Sequence, residues 1–385
     1  MRDCPYAKLC GGCTYLSRSY REELNMKQKE VSSLLTSFCK VGKIIGMDVP
    51  LHYRNKVHGV VSSDRKGNCF TGIYREGTHR LVRVDSCLIE DERADRIMQT
   101  ITGMMRSFKM RPYDEDSGKG FLRHILIRTG HATGQILVVL VTASPVFPSK
   151  NNFVKALKKA HPEITSIVQN INGKRTSMVL GDRQNVLYGK GYIEDVLCGK
   201  RFRISARSFY QVNSIQTEVL YQKAMDYAGL TGKETVIDAY CGIGTIGLAA
   251  SDRAGRVIGV ELNGDAVRDA VANARRNRVK NIEFHKGDAG DFMVRMAAAG
   301  AKADLVFLDP PRAGSDRKFL TSMLRLSPEK IVYISCNPVT LKRDLTFLTR
   351  KGYRAVKIQP VDMFPGTSHV ETVVLLRRKT VDASY

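Results

Sequence analysis

The sequence predicts an α/β fold whose second half is a doubly wound parallel sheet, and three observations carry that expectation. From about residue 212, short apolar runs alternate with amphipathic stretches, as successive βαβ units require. A strand-like run, 235–239, passes into the glycine-rich turn Gly242-x-Gly244-x-x-Gly247. Two late apolar runs, 355–360 and 372–376, have no helix between them, so the sheet should finish in an antiparallel pair.

The elements follow in order. Residues 20–38 have Leu24, Lys27, Val31, Leu34 and Leu35 near helical period and should form an amphipathic helix. The pattern then changes to strands and turns: 58–61, 70–74, 80–84, 124–128 and 135–141, the last two joined across a hairpin-like turn at 130–134, then 166–171, 192–196 and 202–206. In the second half, helices at 215–228, 243–251, 265–277, 290–298, 318–326 and 339–349 alternate with strands at 235–239, 256–261, 282–285, 304–308 and 331–335. The expected organisation is a cysteine-bearing segment at 1–15, a helical segment at 16–47 that packs on the catalytic half, a β-rich region at 48–205, and a catalytic domain at 206–385.

The chain has 385 residues, 43% of them hydrophobic, enough for a sizeable core, and its net charge is +23, an excess shared by both halves. A basic surface without low-complexity tails suits a polyanion, and nucleic acid fits better than lipid because no basic amphipathic helix stands out. There is no apolar run of membrane-spanning length and no apolar signal region, so a cytoplasmic protein without a membrane partner is expected.

Nine cysteines without a secretory signal argue against a disulfide framework. Cys4, Cys10 and Cys13 cluster, with glycines between the last two, and suit a metal centre needing a fourth ligand. Cys39, Cys69, Cys87 and Cys198 are candidates by position; Cys87 follows a strand-like run that would hold its sulfur in a fixed place. Four thiolates suit zinc or an iron–sulfur cluster, and spacing does not separate them.

The glycine turn is spelled like a dinucleotide fingerprint, and Glu261 ends the next strand where it could hold ribose hydroxyls. Asp238 at the end of the first strand would repel a pyrophosphate, which favours a cationic, phosphate-free cofactor, S-adenosylmethionine, with Asp288 on its adenine side. After the fourth strand comes Asp309-Pro310-Pro311-Arg312; an aromatic residue in place of Arg312 would have suggested methylation of an exocyclic amine. Cys336 ends another strand, and Glu371 stands just before the last one. A thiolate adding at carbon 6 of uracil makes carbon 5 nucleophilic, and a base must then remove the carbon 5 proton. Glu371 is the candidate base, with His369 the alternative. The site is expected to lower the Cys336 pKa, through Arg312 or backbone amides.

With Tyr53-Arg54-Asn55-Lys56, Gly72-Ile73-Tyr74-Arg75-Glu76-Gly77-Thr78-His79-Arg80, Asp85-Ser86-Cys87, Ser208-Phe209-Tyr210-Gln211-Val212-Asn213 and Asp362-Met363-Phe364-Pro365 added to these motifs, nearly the whole chain resembles the RNA uracil-5 methyltransferases that make 5-methyluridine, in particular the iron–sulfur members acting on 23S ribosomal RNA. That resemblance implies a class I S-adenosylmethionine methyltransferase fold with a Rossmann-like sheet. It implies Cys336 as nucleophile and Glu371 as proton acceptor. Gln211, Tyr240, Glu261, Asp288 and Asp309 would line the S-adenosylmethionine and base pocket. Cys4, Cys10, Cys13 and Cys87 would bind a [4Fe-4S] cluster, in preference to zinc. Because tRNA-specific relatives lack the four-cysteine set, 23S rRNA is the expected partner and tRNA the alternative; the protein is expected to act as a monomer.

Two features depart from the family pattern. Many relatives begin with a small β-barrel RNA-binding domain, whereas this sequence starts almost directly at the cysteines, so RNA affinity is expected from the β-rich region. The stretch Ser205-Ala206-Arg207-Ser208 also differs from the usual Ser-Pro start. A uridine reaching Cys336 must be looped or flipped out, with Phe209 either stacking on a base or packed in the core.

Overall fold

The computed structural model describes residues 4–75, 77, 78 and 80–379. Glu76 and His79 of the 72–80 motif lie outside the described residues.

Helix α1 (Tyr20–Leu35) starts at a capping box, in which Ser19 accepts from the Glu22 N–H while the Glu22 carboxylate accepts from Ser19. Its buried face carries Glu23, Lys27, Val31 and Leu35. The two leucine-and-valine positions join the hydrophobic cluster of the catalytic sheet. Single bridges, Val41 to Ile358 and Ile45 to Val361, tie the following segment to that sheet's edge.

The middle of the chain forms a mixed seven-stranded sheet in the order β3-β2-β1-β4-β5-β6-β7. The strands are β1 (Lys56–Ser63), β2 (Cys69–Tyr74), β3 (Leu81–Arg83), β4 (Leu122–Thr129), β5 (Ile136–Thr142), β6 (Ile164–Ile171) and β7 (Arg183–Tyr188). As the hairpin turn implies, β4 and β5 pair antiparallel, and both are buried along their whole length. Two helices, α2 (Glu92–Met104) and α3 (Lys150–Ala160), correct the strand-and-turn reading of this region. Helix α2 presents Ala94, Ile97, Met98 and Ile101 at helical spacing to the sheet, and α3 makes the crossover that lets β5 and β6 run parallel. A separate hairpin, β8 (Tyr192–Leu197) with β9 (Lys200–Ser205), leads into the catalytic half.

That half is a second seven-stranded sheet in the order β12-β11-β10-β13-β14-β16-β15. Its strands are β10 (Thr235–Ala239), β11 (Arg256–Glu261), β12 (Ile282–Lys286), β13 (Leu305–Leu308), β14 (Lys330–Ser335), β15 (Tyr353–Val361) and β16 (Glu371–Arg378). The first five are parallel, and β16 runs antiparallel to both β14 and β15, as the sequence predicts. The chain winds outward from β10 to β12, then restarts on the other side at β13. The carboxyl ends of β10 and β13 therefore flank the switch point, where open sheets of this kind bind ligands. Helices α4 (Ser214–Ala228), α5 (Thr245–Ala250), α6 (Gly264–Arg276), α7 (Ala289–Ala298), α8 (Arg317–Arg325) and α9 (Pro338–Arg350) cover the faces. No helix among the described residues is long and apolar enough to cross a membrane.

Candidate active site

A cavity of about 430 Å³ opens at the switch point. Four strand ends feed it: Tyr240 and Gly242 after β10, Glu261 at the end of β11, Asp309 after β13 and Cys336 after β14. Gln211 enters from the segment before α4, and Glu371 from the first residue of β16. The structure thus brings six of the seven expected catalytic and cofactor positions into one space. It does not bring Asp288, which is exposed and serves as the N-cap of α7, accepting from the Asp291 N–H at 2.9 Å.

The glycine turn needs its glycines for identifiable reasons. Gly244 has φ +85°, and a Cβ there would sit 2.7 Å from the Phe284 ring. Tyr240, not a glycine, also takes a left-handed φ of 64°, a strained conformation of the kind that clusters at functional sites. Glu261 closes the turn by accepting from the N–H groups of Gly242 (3.1 Å) and Asn263 (2.8 Å). That uses two of a carboxylate's roughly four acceptor positions and leaves capacity for ligand hydroxyls.

Asp238 behaves differently from the sequence expectation. It is fully buried, accepts from the Gly247 N–H at 2.8 Å, and does not line the cavity. Burial pushes its pKa up to about 8, with Asp309 and Glu261 adding to the shift. It braces the turn from beneath, largely in its neutral form, and so is no anionic bar to a pyrophosphate. The carboxyl groups that do face the cavity are those of Glu261, Asp309 and Glu371.

Cys336 is also corrected. Burial, followed by the charges of Glu371 and Asp309, pushes its thiol up to about 11, while Arg312 acts in the opposite direction and is outweighed. The α9 N-terminus does not rescue it, because the Asn337 side chain already accepts from the N–H groups of Val339 and Thr340. Glu371 is enclosed, has a buried Oε2 without a hydrogen-bond partner, and is pushed up to about 8 by burial and Asp309. Burial raises Asp309 to about 7. His369 stands 3.4 Å from Arg312, and burial together with that guanidinium lowers its pKa.

Tyr221, which sequence reasoning did not single out, also lines the cavity, as do Thr245 and Phe364, which fall within the quoted motifs but were given no role. Tyr221 and Thr245 share a 3.0 Å hydrogen bond between α4 and α5. Nothing in a helix-interior tyrosine announces such a role.

A wider groove of about 1050 Å³ shares Phe209, Gly242 and Glu261 with the cavity and carries Arg54, Lys56, Arg203, Arg207 and Arg268. Phe209 is 68% exposed, which removes the core alternative for it. Cys10, Cys13 and Cys87 also line the groove. These three and Cys4 line a smaller cavity of about 50 Å³, whereas Cys39, Cys69 and Cys198 do not reach it. The Cys10 sulfur accepts from the Gly12 N–H at 3.4 Å. Among the described residues, no group of three or more His, Cys, Asp or Glu side chains is arranged to hold a single metal ion.

Comparison with known proteins bears on these sites. Residues 19–379 match the family described as tRNA (Uracil-5-)-methyltransferase. An uncharacterized RNA methyltransferase of Halalkalibacterium halodurans is 44% identical over 381 residues, 98% of this chain and 83% of that protein. One from Listeria monocytogenes is 45% identical over 377 residues, covering 97% and 83%. Among solved structures, the Pyrococcus abyssi tRNA (uracil-54, C5)-methyltransferase in complex with S-adenosyl-L-homocysteine superposes with a TM-score of 0.80 at 28% identity, covering 97% of this chain and 87% of that one.

Proposed function

Because the chain belongs to the tRNA (Uracil-5-)-methyltransferase family, and so performs S-adenosylmethionine-dependent methylation of RNA uracil at carbon 5, we propose that its substrate is a specific uridine of 23S rRNA and that Cys336 and Glu371 carry the reaction. The observation that carries this reading is the placement of a thiol and an enclosed carboxyl side by side in the cavity that the cofactor residues also line.

The residues fit the methyl donor: Tyr240 and Gln211 offer an aromatic wall and an amide, and Glu261 and Asp309 offer acceptors and negative charge for a cation. Bound there, S-adenosylmethionine supplies an electrophilic methyl group on a sulfonium. The protein's part is to make carbon 5 a nucleophile. Cys336 loses its proton to solvent and its Sγ adds to carbon 6, while the carbon 5–carbon 6 π electrons move onto the ring as an enolate. With carbon 5 methylated, Glu371 takes the carbon 5 proton, the carbon 5–carbon 6 double bond reforms, and the sulfur–carbon bond breaks to return the thiolate. A carboxylate whose pKa is raised to about 8 is a stronger base than an ordinary one. Arg312 faces both groups and moderates the charge between them.

Cys4, Cys10, Cys13 and Cys87 line one cavity; four thiolates suit either zinc or a cluster, and the resemblance to the iron–sulfur members is the ground for choosing a [4Fe-4S] cluster. When bound, such a cluster ties the N-terminal segment to Cys87 and supplies no electron to a polar methyl transfer. This four-cysteine set favours 23S rRNA. The alternative is a tRNA uridine, favoured by the P. abyssi enzyme, whose substrate is tRNA.

The test is trapping with 5-fluorouridine RNA, whose carbon 5 fluorine no base can remove. Purified protein, S-adenosylmethionine and fluorinated 23S rRNA fragments should give a methylated covalent complex mapped to Cys336, absent with Cys336→Ala. A complex with fluorinated tRNA alone would establish the tRNA alternative. No complex with either RNA, with cofactor binding intact, would overturn the covalent reading.

A further inference from the structure

Lys27 falls on the apolar side of α1 and is completely buried. Its Nζ lies 2.8 Å from Glu23 Oε1 and 2.7 Å from Asp362 Oδ1, and donates to the Phe364 carbonyl at 3.2 Å. The other Asp362 oxygen accepts from the Tyr20 hydroxyl at 2.8 Å, and Glu23 Oε1 accepts from the Gly366 N–H at 2.7 Å. Buried charges of this kind are a poor way to gain stability, since apolar packing would serve at least as well, but they fix geometry.

What they fix is the loop between β15 and β16. Five consecutive carbonyls of that loop are held by groups from elsewhere in the chain. The Asp362 carbonyl accepts from Gln216 at 2.9 Å and the Met363 carbonyl from Asn213 at 3.0 Å, both at the start of α4. Lys27 holds Phe364, and the Tyr53 hydroxyl holds the Pro365 carbonyl at 3.0 Å. The Gly366 carbonyl accepts from the N–H groups of Thr14 and Tyr15, directly after Cys13. From this loop Phe364, His369 and Glu371 enter the active-site cavity. Cys336 hangs instead on β14 and α9.

We propose that Lys27 is a positioning residue for Glu371: through Asp362 and the Phe364 carbonyl it holds the loop that aims the proton acceptor, and it serves product release rather than nucleophilic addition. The proposal rests on the carbon 5 methylation reading. In the step concerned, Glu371 takes the carbon 5 proton, the C–H electrons form the carbon 5–carbon 6 double bond, the carbon 6–Sγ bond breaks, and its electron pair returns to Cys336. If Glu371 is misaimed, addition and methylation proceed while elimination lags, and enzyme accumulates joined to methylated RNA.

The experiment uses the full chain, RNA with natural uridine and S-adenosylmethionine labelled in its methyl group, quenched in denaturant. Lys27→Met should lower kcat about 10²-fold, the scale of an ångström-sized misplacement, with cofactor affinity unchanged and the labelled protein–RNA complex the dominant form of the enzyme. Tyr53→Phe, which removes one hydroxyl, should shift both readouts the same way by a smaller factor. If Lys27→Met fails to fold by circular dichroism, Tyr53→Phe decides. A fall in kcat with no more covalent complex than wild type, or an unchanged kcat, overturns the proposal. Failure of wild type to trap 5-fluorouridine RNA would strike at the underlying reading instead.

Discussion

Cys336 and Glu371 leave the β14–β16 ladder at the same rung. Ser335 is paired with Thr372 in that antiparallel register, so the next residue on β14 and the preceding one on β16 stand opposite each other. A thiol and a carboxyl set opposite each other by backbone pairing are placed before any ligand arrives, and the Glu371 charge adds to the thiol's reluctance to ionise.

The rate of product release should therefore depend on Glu371 ionisation. Its base form grows as pH rises through about 8, so kcat should climb between pH 6.5 and 8.5 rather than level off near 5. Glu371→Gln should abolish turnover at every pH in this range and leave Cys336 bonded to methylated RNA. Stopped-time assays across this pH range with both proteins check it.

Alkylation of Cys336 by iodoacetamide in the ligand-free protein should be slow at pH 7 and rise about tenfold per pH unit toward its pKa of about 11. Above pH 8, where Glu371 is ionised, Glu371→Gln should alkylate faster than wild type; below pH 7 the two should differ little. Peptide mass spectrometry provides the readout.

Asp238 should make the protein less stable in alkali. Its folded pKa of about 8 lies above the usual carboxyl value. The associated stability is therefore fully present below about pH 4 and is lost as pH rises through 8. The melting temperature of Asp238→Asn should fall less steeply from pH 5 to 9 than that of wild type, while the amide still accepts from Gly247. Calorimetry at several pH values measures the difference.

Phe209→Ala should weaken RNA binding by about 1–3 kcal/mol, the worth of one base stacked on an aromatic ring, without changing cofactor affinity. Arg207→Ala should weaken it less and flatten its salt dependence by up to roughly 0.7 in log–log slope, as for one phosphate contact to a single strand. Filter binding at a series of salt concentrations distinguishes the two effects.

Cys87→Ala should lose bound iron from protein purified without oxygen, whereas Cys69→Ala should retain it. Elemental analysis for iron and zinc reads the result. Zinc at one atom per chain in wild type would reverse the choice of cofactor.

The catalytic half was legible because four of its five parallel strands are largely buried runs ending at a turn, and open α/β sheets put their ligands at those ends. Cys336, Glu261 and Asp309 could be placed from that rule alone. Helix α3 was missed for a physical reason, since it buries only Phe153 and Leu157, too few to set a helical period; α2, with Ala94, Ile97, Met98 and Ile101 at helical spacing, was readable and was passed over. Asp238 was misread because a strand end fixes where a residue is, not whether its side chain faces the crevice or the turn beneath. The Lys27–Asp362 pair joins residues 335 apart in sequence, and no local pattern encodes such a partnership.

The wide groove is lined both by the cysteine segment and by Phe209. A nucleotide strand lying in it on the way to Cys336 would also cover Cys10, Cys13 and Cys87, so these sulfurs would be shielded while the protein works and open to solvent between turnovers. Idle enzyme should age faster than enzyme kept supplied with RNA.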